Sequence, residues 1–433
     1  MCFLFLYIYC NLCHLFHSVI LSHRVILSEV AVRKANGDAV ERSLPSQPHP
    51  VSISRGEAIS PLATASKKTP LCILRAPMLL QENVSLAPLT TFRLGGPARF
   101  FVEAKSAGEV QEAVSFAGSR SLPLFVLGGG SNLVVADSGW PGLVLKVAIP
   151  GIERRPGNDH EGRVLFDVGA GESWDRFVSH AVRAKCAGVE CLSGIPGSVG
   201  GTPVQNVGAY GQEVSQTIES VEVFDRKDGQ VRELRREACS FAYRSSIFNT
   251  TERGRFIILR VTYALTPGGE PHLEYADLKR HFEGRETRPD LAETREAVRH
   301  IRARKGMLIV AGDPDCQSAG SFFKNPVLSE AQHEALQRRA VAKGFALPSY
   351  PAPISPSLEK NRKVSAAWLV EKSGFARGYG FGHVGISSKH ALAIVNRGGA
   401  TAADVLSLKD QIQQRVEEIW AVRLEPEPVM VGF

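Results

Sequence analysis

Leu124-Phe125-Val126-Leu127-Gly128-Gly129-Gly130-Ser131-Asn132 is the stretch on which the fold turns. Four apolar residues run straight into three glycines, the pattern of a short buried strand that opens into a loop. Glycine lacks a Cβ, so such a loop lets backbone approach a ligand closely. Its successive N–H groups can form an anion nest. Two familiar phosphate-binding patterns are excluded. A dinucleotide fingerprint needs a third glycine where Leu133 stands, and a helix where Leu133-Val134-Val135 reads as extended chain. No Gly-Lys-Ser/Thr occurs anywhere, so there is no Walker loop.

Strands and helices alternate outward from this loop. Ala98–Glu103 predicts a strand, and Ser106-Ala107-Gly108-Glu109 has capping-box spacing before a helical stripe of Val110, Ala113, Val114 and Ala117. Leu143–Val147 predicts another strand. These elements form a first lobe over residues 78–150. A second, over 151–290, carries strands at Leu165–Val168, Ile218–Asp225 and Phe256–Leu265. Its helix has Trp174, Phe177, Val178, Ala181 and Val182 on one face. A third part, 291–433, opens on a basic helix with Val298 and Ile301 that ends at Lys305. Helices follow at about Glu330–Lys343, Ser365–Lys372 and Ala402–Trp420, then a short strand at Val429–Val431.

Composition sets the outer bounds. With 433 residues, 44% hydrophobic and 22% charged, the chain is an ordinary globular protein of two or three domains. Its formal charge is +7, but residues 1–77 hold eight Lys/Arg and four Asp/Glu, so the remainder is close to neutral. That argues against a nucleic-acid scaffold and leaves room for a local basic pocket. Eight cysteines scattered through a large chain suit reduced thiols in a cytoplasmic enzyme. Residues 1–26 are apolar but interrupted by polar residues and preceded by no basic stretch, so they make a poor signal peptide and too short a membrane span. The Cys10-Asn11-Leu12-Cys13-His14 match to a haem-attachment pattern has no folded context around it. Residues 40–70 read as disordered. Patterning begins just after Met78, so the expectation is that Met78 is the initiator and 1–77 a spurious or disordered extension.

Several groups carry chemistry. A second glycine-rich loop runs Ser193-Gly194-Ile195-Pro196-Gly197-Ser198-Val199-Gly200-Gly201-Thr202. Two such loops in adjoining lobes can grip a pyrophosphate from both sides. In Ser318-Ala319-Gly320-Ser321-Phe322-Phe323-Lys324-Asn325-Pro326 a hydroxyl and an ammonium flank two core aromatics. Arg244, among Phe241, Tyr243 and Phe248, suits a bidentate carboxylate contact or a structural ion pair. Tyr275 and Lys305 serve phosphates or the surface. Glu425, before Pro426, is either a buried carboxyl of raised pKa or an exposed rim residue.

Together, Thr90-Thr91-Phe92, Leu127–Asn132, Gly194–Gly211, Phe241–Phe248, Ser318–Pro326 and Leu424–Glu427 resemble, in order, the motifs of the UDP-N-acetylenolpyruvoylglucosamine reductase (MurB) family. The resemblance runs from about Asn83 to Phe433. The segment around Tyr275 resembles the larger subtype, in which a tyrosine loop covers the substrate. It implies an α+β chain: a two-lobed FAD-binding region of the vanillyl-alcohol-oxidase (PCMH) type, then an α/β substrate-binding domain. It also implies non-covalent FAD, with NADPH and UDP-N-acetyl-enolpyruvylglucosamine using one site in turn, in a cytoplasmic monomer that binds neither nucleic acid nor membrane. By motif match Leu127, Gly128, Gly129, Gly130, Ser131, Asn132, Gly194, Pro196, Gly197, Ser198, Gly201 and Thr202 hold FAD. Arg244, Ser321 and Glu425 are catalytic, Ser321 giving a proton to C2 as hydride reaches C3. Tyr275, Lys305, Lys324 and Asn325 meet the UDP moiety. No metal is implied.

Overall fold

The first glycine loop hangs from the edge strand of a four-stranded sheet. Strand β1 (Leu80–Ser85) pairs antiparallel with β2 (Pro97–Ala104), and helix α1 (Ala107–Ser119) carries the chain across to β3 (Leu124–Leu127). A short β4 (Leu133–Val135) follows the loop. Then β5 (Trp140–Val147) inserts between β2 and β3, parallel to both, giving the order β1-β2-β5-β3. The Ser106 hydroxyl accepts the Glu109 N–H at 3.2 Å and starts α1. Val110, Ala113 and Ala117 of the expected stripe are buried against the sheet. The computed structural model describes residues 78–157, 161–351 and 361–433, all within one compact unit, Leu74–Phe433. The expectations for residues 1–77 lie outside the described residues.

A larger antiparallel sheet follows, built from β6 (Ile152–Arg154), β7 (Val164–Gly169), β11 (Ile218–Asp225), β12 (Gln230–Arg235) and β13 (Phe256–Pro267), in the order β12-β11-β13-β7-β6. Short β8 (Cys186–Ala187) pairs with the end of β13. Helix α2 (Trp174–Arg183) lays the apolar face expected of it on this sheet. Phe177 stacks 4.8 Å from Tyr263, and Trp174 lies 5.7 Å from the same ring. The Tyr263 hydroxyl meets Thr202 Oγ1 at 2.7 Å, so the second glycine loop rests on this aromatic cluster. A two-residue hairpin joins β9 (Gly208–Ala209) to β10 (Gln212–Glu213). Its turn residues Tyr210 and Gly211 both have positive φ, 48° and 86°, as a type I′ turn demands.

The C-terminal part contains α3 (Ala276–His281), α4 (Leu291–Arg304), β14 (Val327–Leu328), α5 (Glu330–Ala342), β15 (Ser349–Pro351), β16 (Arg362–Val364) and α6 (Ala366–Glu371). It ends with β17 (Gly380–Phe381), β18 (Val384–Ile386), β19 (Ile394–Asn396), α7 (Ala402–Trp420) and β20 (Val429–Val431). Two three-stranded sheets, β14-β16-β15 and β17-β18-β19, share a core with α5 to α7 that includes Phe322, Phe323 and Trp420. Phe92, Leu94 and Val134 enter the same core from the first sheet's side. Helix α4, expected to open the third part, buries Ala297, Val298 and Ile301 against Cys191, Tyr210 and Leu278. Finally β20 runs back to pair in parallel with β4, Val429 opposite Leu133. That closure carries the chain end to the first glycine loop. Among the described residues no helix is long and apolar enough to cross a membrane.

Candidate active site

The two glycine loops touch. A Cβ on Gly129 would lie 2.5 Å from the Gly197 Cα, and one on Gly128 would lie 2.8 Å from Ser198 Oγ. Gly130 has φ +65° and a Cβ there would fall 1.9 Å from the Leu89 carbonyl oxygen, so no side chain fits. Loop and helix are stitched together by the Trp174 N–H, which donates to the Gly197 carbonyl at 3.1 Å. Thr91 Oγ1 donates to the Ser318 carbonyl at 2.7 Å, tying the first loop's surroundings to the Ser318–Pro326 stretch. Both loops line a cavity of about 930 Å³. Ser198 Oγ is buried there with no partner among the described residues, and neither loop carries an acidic side chain. Backbone donors, an orphaned hydroxyl and no opposing charge fit the pyrophosphate of a dinucleotide such as FAD.

Ten of the twelve residues expected to hold the cofactor line this cavity; Leu127 and Gly194 do not. Leu127 is the last strand residue and points into the apolar core with Phe101 and Val144. Gly194 gives its N–H to Asp175 Oδ1 at 2.6 Å, and its missing Cβ makes room for Leu308, whose Cδ1 would stand 2.8 Å away. Asp175 also takes a two-point grip from Arg295, at 2.7 and 2.9 Å, and a contact from Arg299 at 2.9 Å. This one carboxylate therefore fixes the second loop and helix α4 together.

Charged side chains form the facing wall. Arg244 sits at φ +54°, a left-handed conformation worth about 1 kcal/mol of strain in a non-glycine residue. The turn is held by Asn249, whose Nδ2 donates to the Arg244 carbonyl at 3.2 Å. The guanidinium donates to the Gly208 carbonyl at 3.0 Å, and its Nε stands 2.9 Å from Glu427 Oε1. That Nε–H is not aimed along the carboxylate line, so the contact is an ion pair rather than an aligned hydrogen bond. Burial pushes the Glu427 carboxyl above the ordinary range, while Arg244 and Lys324 pull it back.

Ser321 lines the cavity at the head of an extended segment that pairs with the C-terminal run. The Glu427 N–H donates to the Phe322 carbonyl at 2.9 Å, and the Lys324 N–H donates to the Glu425 carbonyl at 2.9 Å. Phe322 and Phe323 are buried in the core, as expected. Glu425 is not a cavity residue: its side chain is 77% exposed, it does not line the cavity, and Lys324 Nζ lies 3.6 Å from it. Residues two apart in extended chain share a side, so alternation does not separate Glu425 from Glu427. The ~6.6 Å of chain between them does.

At the other end of the cavity Tyr210 is a hub. Its ring meets Tyr275 edge-on at 5.3 Å, and Lys305 Nζ lies 5.8 Å from its centroid. Burial pushes its hydroxyl pKa up to about 12, against the opposing charge of nearby Arg302. Lys305 is held by Asp277 at 2.5 Å. His390, beside Lys305 and Arg302, is driven down to about 4, first by burial and then by those charges, so it is neutral at pH 7. Tyr275, Lys305, Lys324 and Asn325 all line the cavity, although the Asn325 side-chain oxygen is engaged by the Ala366 N–H at 2.9 Å, which starts α6.

Residues 98–235 match a family model described as an FAD binding domain, and residues 313–431 match the C-terminal domain of UDP-N-acetylenolpyruvoylglucosamine reductase. The chain is 45% identical over 354 residues to the UDP-N-acetylenolpyruvoylglucosamine reductase of Thermobifida fusca, covering 81% of this chain and 98% of that one. The chain belongs to the UDP-N-acetylenolpyruvoylglucosamine reductase family. The reductase of Streptomyces coelicolor is 44% identical over 355 residues, covering 81% of this chain and 90% of that one. The crystal structure of the reductase from Thermus caldophilus superposes with a TM-score of 0.54 at 28% identity, covering 82% of this chain and all of that one. As a member of this reductase family the chain is an FAD-dependent oxidoreductase that reduces the enolpyruvyl ether of UDP-N-acetylglucosamine to UDP-N-acetylmuramate.

Sequence alone did not point to Glu427, Tyr210, Arg302, Lys363 or His390 as cavity residues of this reductase. Two of them left a signal. Arg302 stands four residues after Val298 on the apolar stripe of α4, where a charged residue needs a reason to be. Tyr210 occupies a turn position that favours glycine or asparagine.

Proposed function

We propose that NADPH is the hydride source for this reduction and that the cavity residues divide the work between cofactor, carboxylate and diphosphate. The observation that carries the reading is the Arg244–Glu427 pair at 2.9 Å, in one cavity with Ser321 and both glycine loops. Gly128–Asn132 with Gly197, Ser198 and Thr202 would hold the FAD pyrophosphate. Bound there, FAD supplies hydride chemistry that no side chain possesses. Arg244 holds the substrate carboxylate, into which negative charge spreads as C2 becomes electron-rich, and a protonated Glu427 shares a proton with that oxygen. Ser321 delivers the proton that completes C2. Tyr275, Lys305 and Arg302 meet the UDP diphosphate.

In this reading residues 78–150 and 151–290 are two lobes closing on a flavin in a vanillyl-alcohol-oxidase-like arrangement, and residues 291–433 bring the substrate. The chain works as a cytoplasmic monomer. Cys186, Cys191, Cys239 and Cys316 are free thiols, which supports a reducing compartment. An anaerobic titration tests the function. The purified protein should be yellow, bleach on adding NADPH, and regain its colour on adding the UDP-enolpyruvyl sugar. Recovery with oxygen alone at comparable speed, or a colourless protein, would sink the reading.

A further inference from the structure

Strand β16 places Lys363 across from Tyr350 and Val327. Its neighbour Val364 is fully buried in the C-terminal core, so strand alternation turns Lys363 the other way, into the cavity it lines. There its ammonium lies 4.9 Å from the centroid of the Tyr243 ring. The Arg244 guanidinium lies 5.4 Å from the same centroid. One aromatic ring thus gathers two cations on the cavity wall, and the ring stabilises each by the attraction of its face.

The two cations are not equally satisfied. Arg244 has Glu427 at 2.9 Å. Of the three lysines lining the cavity, Lys305 has Asp277 at 2.5 Å and Lys324 has Glu425 at 3.6 Å. Lys363 alone among them has no carboxylate partner within the described residues. A half-buried ammonium beside a guanidinium is a costly arrangement unless something anionic arrives. We propose that Lys363, seated on Tyr243, recognises an anionic oxygen group that a ligand brings beside Arg244, either the carboxylate of the enolpyruvyl ether or a phosphate of NADPH. The proposal rests on the functional reading above, in which both ligands enter this cavity. Geometry supports it: Arg244 already has Glu427 2.9 Å from its Nε and gives another N–H to the Gly208 carbonyl, so an incoming anion at the same place gains from a second donor.

The groups around Lys363 fix how binding should depend on pH. They are Tyr243 and Arg244 from the 241–248 turn, Glu213 from β10, Tyr350 across the sheet, and Glu427 beyond Arg244. Burial first, then Arg244, lowers the Lys363 pKa, and Glu213 opposes them. Anion affinity should therefore weaken as pH rises through a value below that of an ordinary lysine.

The test uses flavin-loaded wild type, Lys363→Met and Lys363→Arg. Calorimetric affinities are measured for the UDP-enolpyruvyl sugar and for UDP-N-acetylglucosamine, which lacks the carboxylate. Anaerobic reduction is followed with NADPH and with NADH. If the carboxylate is the ligand, Lys363→Met binds the enolpyruvyl sugar at least about tenfold more weakly and UDP-N-acetylglucosamine unchanged. Lys363→Arg, charged at every pH, keeps the affinity and loses the alkaline decline. If the 2′-phosphate is the ligand, Lys363→Met weakens NADPH and spares NADH, and if a phosphate of the dinucleotide bridge is the ligand it weakens both. Unchanged affinity of Lys363→Met for all four ligands overturns the proposal while leaving the functional reading intact. A wild type that is not reoxidised by the enolpyruvyl sugar sinks the reading itself.

Discussion

The cavity has two walls made by different means. The glycine wall is backbone on backbone: positions 128–130 and 197 admit no Cβ without contacts of 1.9 to 2.9 Å, and no side-chain charge is present. The charged wall is assembled from side chains far apart in sequence, Arg244, Ser321, Lys363 and Glu427, each delivered by a different element. One wall binds by shape and N–H donors, which any anion of the right form can use. The other reads and moves charge. The sharpest way to break the first is Gly130→Asp. It adds a Cβ where 1.9 Å separates it from a carbonyl oxygen, in a conformation of φ +65°, and it aims a negative charge at the phosphate site. The variant should purify without flavin, read from its absorption spectrum, and lose both half-reactions together.

Ser321→Ala should instead separate the walls. It leaves the glycine loops untouched, so flavin content and reduction by NADPH stay near wild type. Reoxidation by the UDP-enolpyruvyl sugar should slow by ~10²–10⁴-fold, the range for losing a positioned proton donor. Stopped-flow traces of the two half-reactions decide it. Equal damage to both would remove Ser321 from the donor role.

The contrast also explains what could be read from sequence. The glycine wall was legible because its information is local: a strand, a run of glycines and a following extended segment are adjacent in the chain. Leu127 joins that wall by motif match, yet strand alternation turns it into the core beside Val144. The last helix of the C-terminal part was legible from its apolar stripe, and the structure adds caps at Ser329 and Thr401 that start α5 and α7. The short strands β14 to β19 were not, since two or three residues carry no period to recognise. The charged wall was half legible. Arg244 and Ser321 stood out by their surroundings. Lys363, by contrast, is marked only by Tyr243, 120 residues away in the chain and brought to it by tertiary packing.

Glu425 and Glu427 are the closest contrast the molecule offers, two carboxylates of one extended segment with opposite fates. Glu427 is buried against Arg244, and burial raises its pKa. Its proton is therefore retained to a higher pH than an ordinary glutamate keeps one, and reoxidation should slow as pH rises through that raised value. Glu427→Gln keeps the shape and a neutral form at every pH, so its pH profile should be flat where wild type declines. Its rate should fall ~10–10²-fold, because an amide polarises a developing anion less well than a carboxylic acid. Glu425→Gln removes only an exposed partner of Lys324 at 3.6 Å. Exposed pairs contribute ~0.2–1 kcal/mol, so stability should change by less than about 1 kcal/mol and the pH profile not at all. If the two variants behaved alike, the site carboxyl would be set by the Leu424–Pro428 segment as a whole. If Glu425→Gln were the worse, the Lys324 contact behind the cavity would matter more to the chemistry than the Arg244 contact inside it.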